Sequence, residues 1–399
     1  MVRWILLLLA SGLLLLGGLN VFPVPTWAAW ELGILAGEFG HLLAPVAILI
    51  AAVAGWQCGA ERWRKDDTAM TPPPPRERRG SRWWIAFTTL IVAAVAAAFL
   101  FKPALQAKGL GRAVAEQMAT RFGAATSDEA VFSFAALAGR NPSPVPVETL
   151  LAPGELPLDF YRPIEAPAAR AVPCVIVVHG GGWDSGDRKQ LPMFNHWLAR
   201  RGYAVAAISY RLAPQHRWPA QREDVLAAIA FLKSRSRDLG IDSGRFVLLG
   251  RSAGGQIAQV VAYTARDSAI RGLIAFYAPG DLYFGYVNTH ENDMLRSPSL
   301  MRQYLGGSPE TARAAYDSAS AQHQVSREAP PTLLLHGEID PIVWHRHSVR
   351  LDARLGELGV PRAFVSLPWA THVFDYNLHG PGGQLTMFAV ERFLKAVTK

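Results

Sequence analysis

The sequence predicts an α/β fold, a mostly parallel central sheet with helices on both faces, preceded by about three transmembrane helices. Two observations carry this. From about residue 147 onward, short apolar runs alternate with helical patterns, and each run is continuously apolar, as strands buried on both faces are. Ahead of them lie three apolar runs, at about residues 5–22, 32–58 and 83–101, each about long enough to span a bilayer.

The chain has 399 residues, room for one domain of about 250 to 290 residues plus a membrane region at 1–101. The first run follows Arg3. A cleaved signal peptide would begin in the same way, but no clear small-x-small site follows directly, so a retained helix is expected. Trp4, Trp27, Trp30, Trp56, Trp83 and Trp84 sit at or near the ends of the runs, where indoles anchor at the interface. Loop 61–82 holds seven basic residues against four acidic ones, and prolines at 72–75. The positive-inside rule makes that loop cytoplasmic. The N-terminus is then cytoplasmic too, and everything after residue 101 is expected on the outer face of the cytoplasmic or plasma membrane. Glu38 and His41 share a helix face at the outer end of the second run. The span is read as starting near Leu42, with both groups in the headgroup layer.

The net charge of +8 is assigned to this topology. No Lys/Arg stripe interleaved with aromatics points to nucleic acid, whereas membrane lipids are expected partners. Cys58 and Cys174 are not expected to pair, and two cysteines cannot build a Cys-rich zinc site.

Residues 102–146 read as a helical tether and linker. Leu110, Val114 and Met118 recur at helical spacing. Ser127 looks like a helix start ahead of residues 130–137, and Gly139 like its stop. From 147 to 399 the strands are expected at 155–161 (an edge strand), 174–178, 203–208, 246–249, 273–276, 332–335 and 363–367. Helices are expected at 220–233, with Val225, Ile229 and Leu232 on one side, after the fourth strand at 256–264, and at 385–397.

Ligand sites in such sheets lie beyond the strand C-termini, and four strand ends carry suggestive residues. After 246–249 comes Gly250-Arg251-Ser252-Ala253-Gly254, a G-x-S-x-G pattern between strand and helix, the context of a nucleophile elbow. After 174–178 comes His179-Gly180-Gly181-Gly182-Trp183. Its bare N–H groups at Gly181 and Gly182, joined by that of Ala253, can serve as oxyanion donors. After 332–335 comes His336-Gly337-Glu338-Ile339-Asp340. Asp340, with Glu338 as the fallback, is the acid that would orient a histidine. After 363–367 comes His372, able to take a proton from Ser252 and return it. His345, His347 and His379 compete, but none directly follows a strand. Residues 281–324 read as a lid and substrate wall, or else a solvated insertion. Tyr283, Phe284, Tyr286 and Met294 are the pocket candidates there, and Trp183 is placed at the pocket mouth.

The order Ser252, Asp340, His372 matches α/β-hydrolases. Tyr210-Arg211-Leu212-Ala213-Pro214, Trp218-Pro219-Ala220, Glu223-Asp224-Val225 and Gly240-Ile241-Asp242 complete the pattern. On these motifs the region from 150 to 399 resembles the hormone-sensitive-lipase and feruloyl-esterase-like branch of the α/β-hydrolases. The resemblance does not extend to residues 1–140. It implies an α/β-hydrolase fold and a serine carboxylesterase with the triad Ser252, His372 and Asp340. It calls for no metal or organic cofactor. The expected substrate is a small-molecule or lipid ester. A serine peptidase or amidase would use the same triad, and an inactive shell acting as a sensor is the rival from another class. The membrane-anchored arrangement also resembles isoprenylcysteine methylesterases.

One position departs from the family pattern. The residue before the nucleophile is usually acidic, and here it is Arg251. Its side chain is expected to point away from the carbonyl site, so Arg251→Asp is expected to leave turnover of a neutral short-chain ester roughly unchanged.

Overall fold

The computed structural model describes residues 1–66, 79–123, 131–164 and 171–399. Three helices open the chain: α1 (Val2–Gly18), α2 (Trp27–Asp66) and α3 (Arg79–Phe122). At 1.5 Å per residue, α2 and α3 are each about 60 Å long or more, roughly twice the hydrocarbon core of a bilayer. Among the described residues, these two are long and apolar enough to cross a membrane, and α1 is shorter. Glycines let the helices approach closely. A Cβ on Gly17 would lie 2.9 Å from the Cβ of Phe99, and one on Gly40 only 2.6 Å from the carbonyl oxygen of Leu100. Most of the basic loop, residues 67–78, lies outside the described residues, as does the expected helix start at Ser127.

The expected tether is not a separate element. α3 runs without a break through Lys102 to Phe122. Its C-terminal half joins the core: Ala107, Val114 and Met118 are buried in one cluster with Phe393, Leu394 and Val397 of the last helix, Pro381–Val397. Phe122 meets Phe393 edge-on with ring centroids 5.0 Å apart. The helical spacing of Val114 and Met118 is thus the imprint of a packed face. Past the undescribed residues, only a short 3-10 turn, Ala135–Ala138, stands where a second helix is expected.

The sheet has eight strands: β1 (Val147–Ala152), β2 (Leu156–Tyr161), β3 (Val172–Val178), β4 (Ala204–Ile208), β5 (Ile241–Arg251), β6 (Ile270–Phe276), β7 (Thr332–Gly337) and β8 (Arg362–Leu367). Their order across the sheet is β1-β2-β4-β3-β5-β6-β7-β8. The pairs β1–β2 and β2–β4 are antiparallel, and the rest are parallel. The expected edge strand at 155–161 is therefore an inner one. β1 takes the edge, folding back through a turn at Gly154, which has φ +80°. Three of its first four residues are exposed, so it lacks the apolar run that marks the other strands.

Side chains alternate between two cores, as a period of two requires. Ile176, Leu248, Leu273 and Leu334 face one side, with Val225, Ile229 and Leu232 of helix Ala220–Ser234 and Ile257 of helix Ala253–Thr264. Val175, Val177, Leu249, Ile274 and Leu335 face the other, under helices Pro192–Arg200, Pro381–Val397 and α3. Both layers deliver the C-terminal ends of β3, β5, β7 and β8 to one rim of the sheet.

Candidate active site

Ser252 stands between β5 and helix Ala253–Thr264 with φ 52° and ψ −122°. For a non-glycine residue this is strained backbone, held in place by its surroundings. Its N–H donates to the carbonyl of Phe276 at 3.0 Å, and its carbonyl accepts from Gln256 N–H at 3.1 Å. The flanking glycines are sterically required. A Cβ on Gly250 would strike the carbonyl of Gly254, and a Cβ on Gly254 would strike those of Val178 and His179.

His372 lies in the loop after β8 and is buried. Its Nδ1 is 2.6 Å from Oδ2 of Asp340. The other oxygen of Asp340 accepts the backbone N–H groups of Ile342 and Val343, at 2.8 and 2.9 Å. His336 Nε2 lies 3.3 Å from Asp340 Oδ2 and 2.9 Å from the Val343 carbonyl, an acceptor, which assigns the proton to that nitrogen. Burial raises the pKa of Asp340, but the charge of His372 and hydrogen bonds from His336 and His372 outweigh it. The carboxyl is held well below the usual carboxylate range. Glu338 is elsewhere, accepting from the Ser366 hydroxyl at 2.7 Å. The competing histidines are also elsewhere: His345 on Ser366, His347 against Phe284, and His379 on the Arg140 carbonyl.

Ser252, His372 and the three glycines share one cavity of about 240 Å³. Gly180 spends its N–H on Gln190 Oε1 at 2.8 Å. Gly181 and Gly182 turn through φ +120° and +61° at the cavity wall. His179 is structural: its ring stacks on Tyr210 at 4.2 Å and its Nδ1 contacts the Gly180 carbonyl. Burial pushes its pKa down, which keeps the ring neutral.

The pocket candidates need correction. Trp183 is buried, stacked on Tyr304 with centroids 4.5 Å apart, and its indole N–H donates to Gln256. It lines a second, smaller cavity of about 50 Å³ with Phe284, not the cavity of Ser252. Tyr283 lies under Arg313, and Tyr286 accepts from Arg302. Neither lines either cavity. Met294 gives its carbonyl to Trp27. The segment 281–324 is not a solvated insertion: Leu282, Met301, Tyr304 and Tyr316 are buried. It reaches the Ser252 cavity through Leu295 and Leu300, which line both cavities together with Ile342.

Two tryptophans from α2 complete the cavity. Trp27 and Trp30 line it beside Ser252 and His372, and the Trp30 indole donates to the His372 carbonyl at 3.3 Å. Their spacing suggests only interfacial anchoring, and no sequence signal marks them as site residues.

Arg251 is almost wholly buried and contributes to the cavity wall beside Ser252. It pairs with Asp375 at 2.6 Å and lies between the rings of Phe194 and Phe276. Tyr277 also donates to Asp375, at 2.7 Å. Asp375 belongs to the His372 loop, so the basic residue before the nucleophile has a partner three residues beyond the histidine. The expectation that Arg251→Asp is neutral does not survive this contact, because it would set two buried carboxylates face to face.

The BD-FAE family model matches residues 158–355. The ethyl acetate hydrolase of Pseudomonas putida is 31% identical over 235 residues, covering 55% of this chain and 71% of that one. The chain belongs to the carboxylesterase branch of the α/β-hydrolases. A probable carboxylic ester hydrolase of Mycobacterium tuberculosis, LipM, is 28% identical over 255 residues, 60% of this chain. The chain spans only 58% of that relative's length. Among solved structures, a bacterial heroin esterase superposes with a TM-score of 0.55 at 27% identity, covering 66% of this chain and 87% of its own.

Proposed function

We propose that this carboxylesterase-branch hydrolase is anchored in a membrane and cleaves carboxylic esters with Ser252, His372 and Asp340. The observation that carries the reading is the 2.6 Å contact between His372 Nδ1 and Asp340 in the cavity that also holds Ser252. Asp340 fixes the tautomer with its proton on Nδ1, which leaves Nε2 of His372 free to accept the Ser252 proton. The Ser252 oxygen attacks the ester carbonyl, and the developing oxyanion takes hydrogen bonds from Gly181, Gly182 and Ala253. His372 passes the proton to the leaving alcohol as the C–O bond breaks. Water, deprotonated by His372, then attacks the acyl-enzyme and releases the acid and Ser252. The wall formed by Trp27, Trp30, Leu295, Leu300 and Ile342 suits the apolar part of a small-molecule or lipid ester. The names of the relatives, ester hydrolases and esterases, support the choice of ester.

For topology, the proposal keeps loop 61–82 cytoplasmic and the catalytic domain on the outer face. α2 and α3 supply the membrane crossing, and the charge of that loop supplies the orientation. Labelling of the full chain by a fluorophosphonate probe, lost in Ser252→Ala, tests the chemistry. Labelling of the wild type that persists in that variant would reject it. A C-terminal reporter active only in the cytoplasm would reject the topology.

A further inference from the structure

The loop that carries His372 runs from the end of β8 to the start of helix Pro381–Val397. The catalytic domain holds it through His372 on Asp340, through Asp375 on Arg251 and Tyr277, and through Phe374 against Phe276 and Tyr277. A further set of contacts comes from α2, more than 300 residues earlier in the chain. The Trp30 indole donates to the backbone carbonyl of His372 itself. Glu38 is 1% exposed, and its carboxylate accepts the Gly382 N–H at 3.0 Å and the Trp369 indole N–H at 3.4 Å. The Glu38 backbone carbonyl accepts from the Asn377 side chain at 2.9 Å. Phe39 meets Tyr376 edge-on.

Glu38 and His41, which the sequence reading places in the headgroup layer, are both buried in the protein. Glu38 is buried between α2 and the catalytic domain. Burying a carboxylate costs several kcal/mol unless hydrogen bonds replace the lost water. Here the replacements come from the first turn of the last helix, whose N-terminal N–H groups favour an anion, and from the residue that opens the histidine loop. The loop folds closely around the carboxylate, for a Cβ on Gly382 would lie 2.7 Å from Glu38 Oε1. One helix thus grips the loop at its start (Trp369), at its catalytic residue (His372) and at its end (Asn377 and Gly382). Simple anchoring would not require contacts converging on this one loop.

We propose that α2, the apolar helix, is a positioning element of the active site. Trp30 and Glu38 set the height and orientation of His372 over Ser252, so a complete catalytic centre requires the N-terminal helices. This rests on the reading of Ser252 and His372 as nucleophile and base. An imidazole displaced by about 1 Å can cost on the order of a hundredfold in rate, and the loss should fall on kcat because the cavity wall remains.

The test uses the full-length protein in detergent micelles, with Trp30→Phe, Glu38→Gln and Glu38→Leu. The readouts are kcat and KM on p-nitrophenyl butyrate, the rate of fluorophosphonate labelling, and Tm. Trp30→Phe keeps an aromatic ring and removes one N–H. It is expected to lower kcat and labelling about threefold to tenfold, Glu38→Gln about tenfold, and Glu38→Leu about a hundredfold. KM is expected to stay within about twofold. Trp56→Phe, on the exposed part of the same helix, is expected to match the wild type. Values of kcat within twofold of wild type for both Trp30→Phe and Glu38→Gln would overturn the proposal. So would losses confined to KM, or equal losses in Trp56→Phe. If Glu38→Leu does not fold, Trp30→Phe and Glu38→Gln decide. A wild type that is not labelled at Ser252 removes the reading of the site and this proposal together. A labelled wild type with unaffected variants removes this proposal alone.

Discussion

At the scale of single residues, two carboxylates near His372 do different work. Asp340 receives two backbone N–H groups and the imidazole, and its depressed pKa favours the carboxylate. An acid whose folded pKa is lowered contributes stability that is complete above its unfolded value, near pH 4, and is lost as pH falls through the folded value. Asp340 is therefore not expected to set the acid limb of a pH–rate profile. Asp340→Asn keeps the shape but permits the wrong tautomer, and kcat is expected to fall by about four orders of magnitude. A loss under tenfold in steady-state assays would assign the orienting role to another group. Asp375 serves the loop. Arg251→Asp removes its buried partner and adds a like charge, so a loss of about 3 to 5 kcal/mol in unfolding free energy is expected, together with impaired turnover. Urea denaturation and ester assays check both, and wild-type stability would refute the structural role of the pair. The sequence shows Arg251 as a departure from pattern but not its partner, because Asp375 lies 124 positions away in a loop with no periodic pattern.

At the scale of elements, the parallel strands and the helices on them are legible because each strand from β3 to β8 contains a short apolar run, and β3, β5, β7 and β8 end at chemically distinctive residues. β1 is illegible for the opposite reason: it is a mostly exposed edge strand, paired with β2. The lid segment shows the same limit. Its aromatic residues invite a pocket reading, yet Tyr283 and Tyr286 are engaged by arginines and the aliphatic Leu295 and Leu300 reach the cavity. Helix Arg346–Glu357 and the turn before it carry two buried or partly buried histidines. Burial, with repulsion from His336, pushes His347 down to about 3 and His345 down to about 4. Both stay neutral in the fold, while the unfolded chain takes up protons near pH 6.5. Stability is then complete above about pH 6.5 and declines as pH falls toward 4, by up to about 1.4 kcal/mol per pH unit for each histidine. His345 is partly exposed and contributes less of this. Tm measured from pH 7.5 to 4.5 is expected to fall, and more shallowly in His347→Leu. An identical slope in that variant would assign the acid sensitivity elsewhere.

At the scale of the whole molecule, the N-terminal helices and the α/β domain share a core and the candidate active-site cavity. The C-terminal half of α3 covers Phe393 and Val397 of the last helix through Val114, Met118 and Phe122, while the first turns of α2 wall the cavity and hold the histidine loop. The boundaries drawn from hydropathy alone place a linker where these contacts are, because hydropathy reports what a segment can dissolve in and not what it packs against. A chain that begins at Asn141 keeps every strand and all three members of the proposed triad, so fold-level reasoning would predict an active soluble enzyme. The packing predicts otherwise. The truncated domain exposes a contiguous apolar face, an aggregation hazard, and leaves the His372 loop without Trp30 and Glu38. It is expected to be recovered mostly in aggregates, and its soluble fraction to label with a fluorophosphonate at least tenfold more slowly than the full chain in micelles. Size-exclusion chromatography and labelling kinetics on the two proteins side by side decide this. A monodisperse truncated protein labelling at the full-length rate would show that the N-terminal helices only anchor the enzyme.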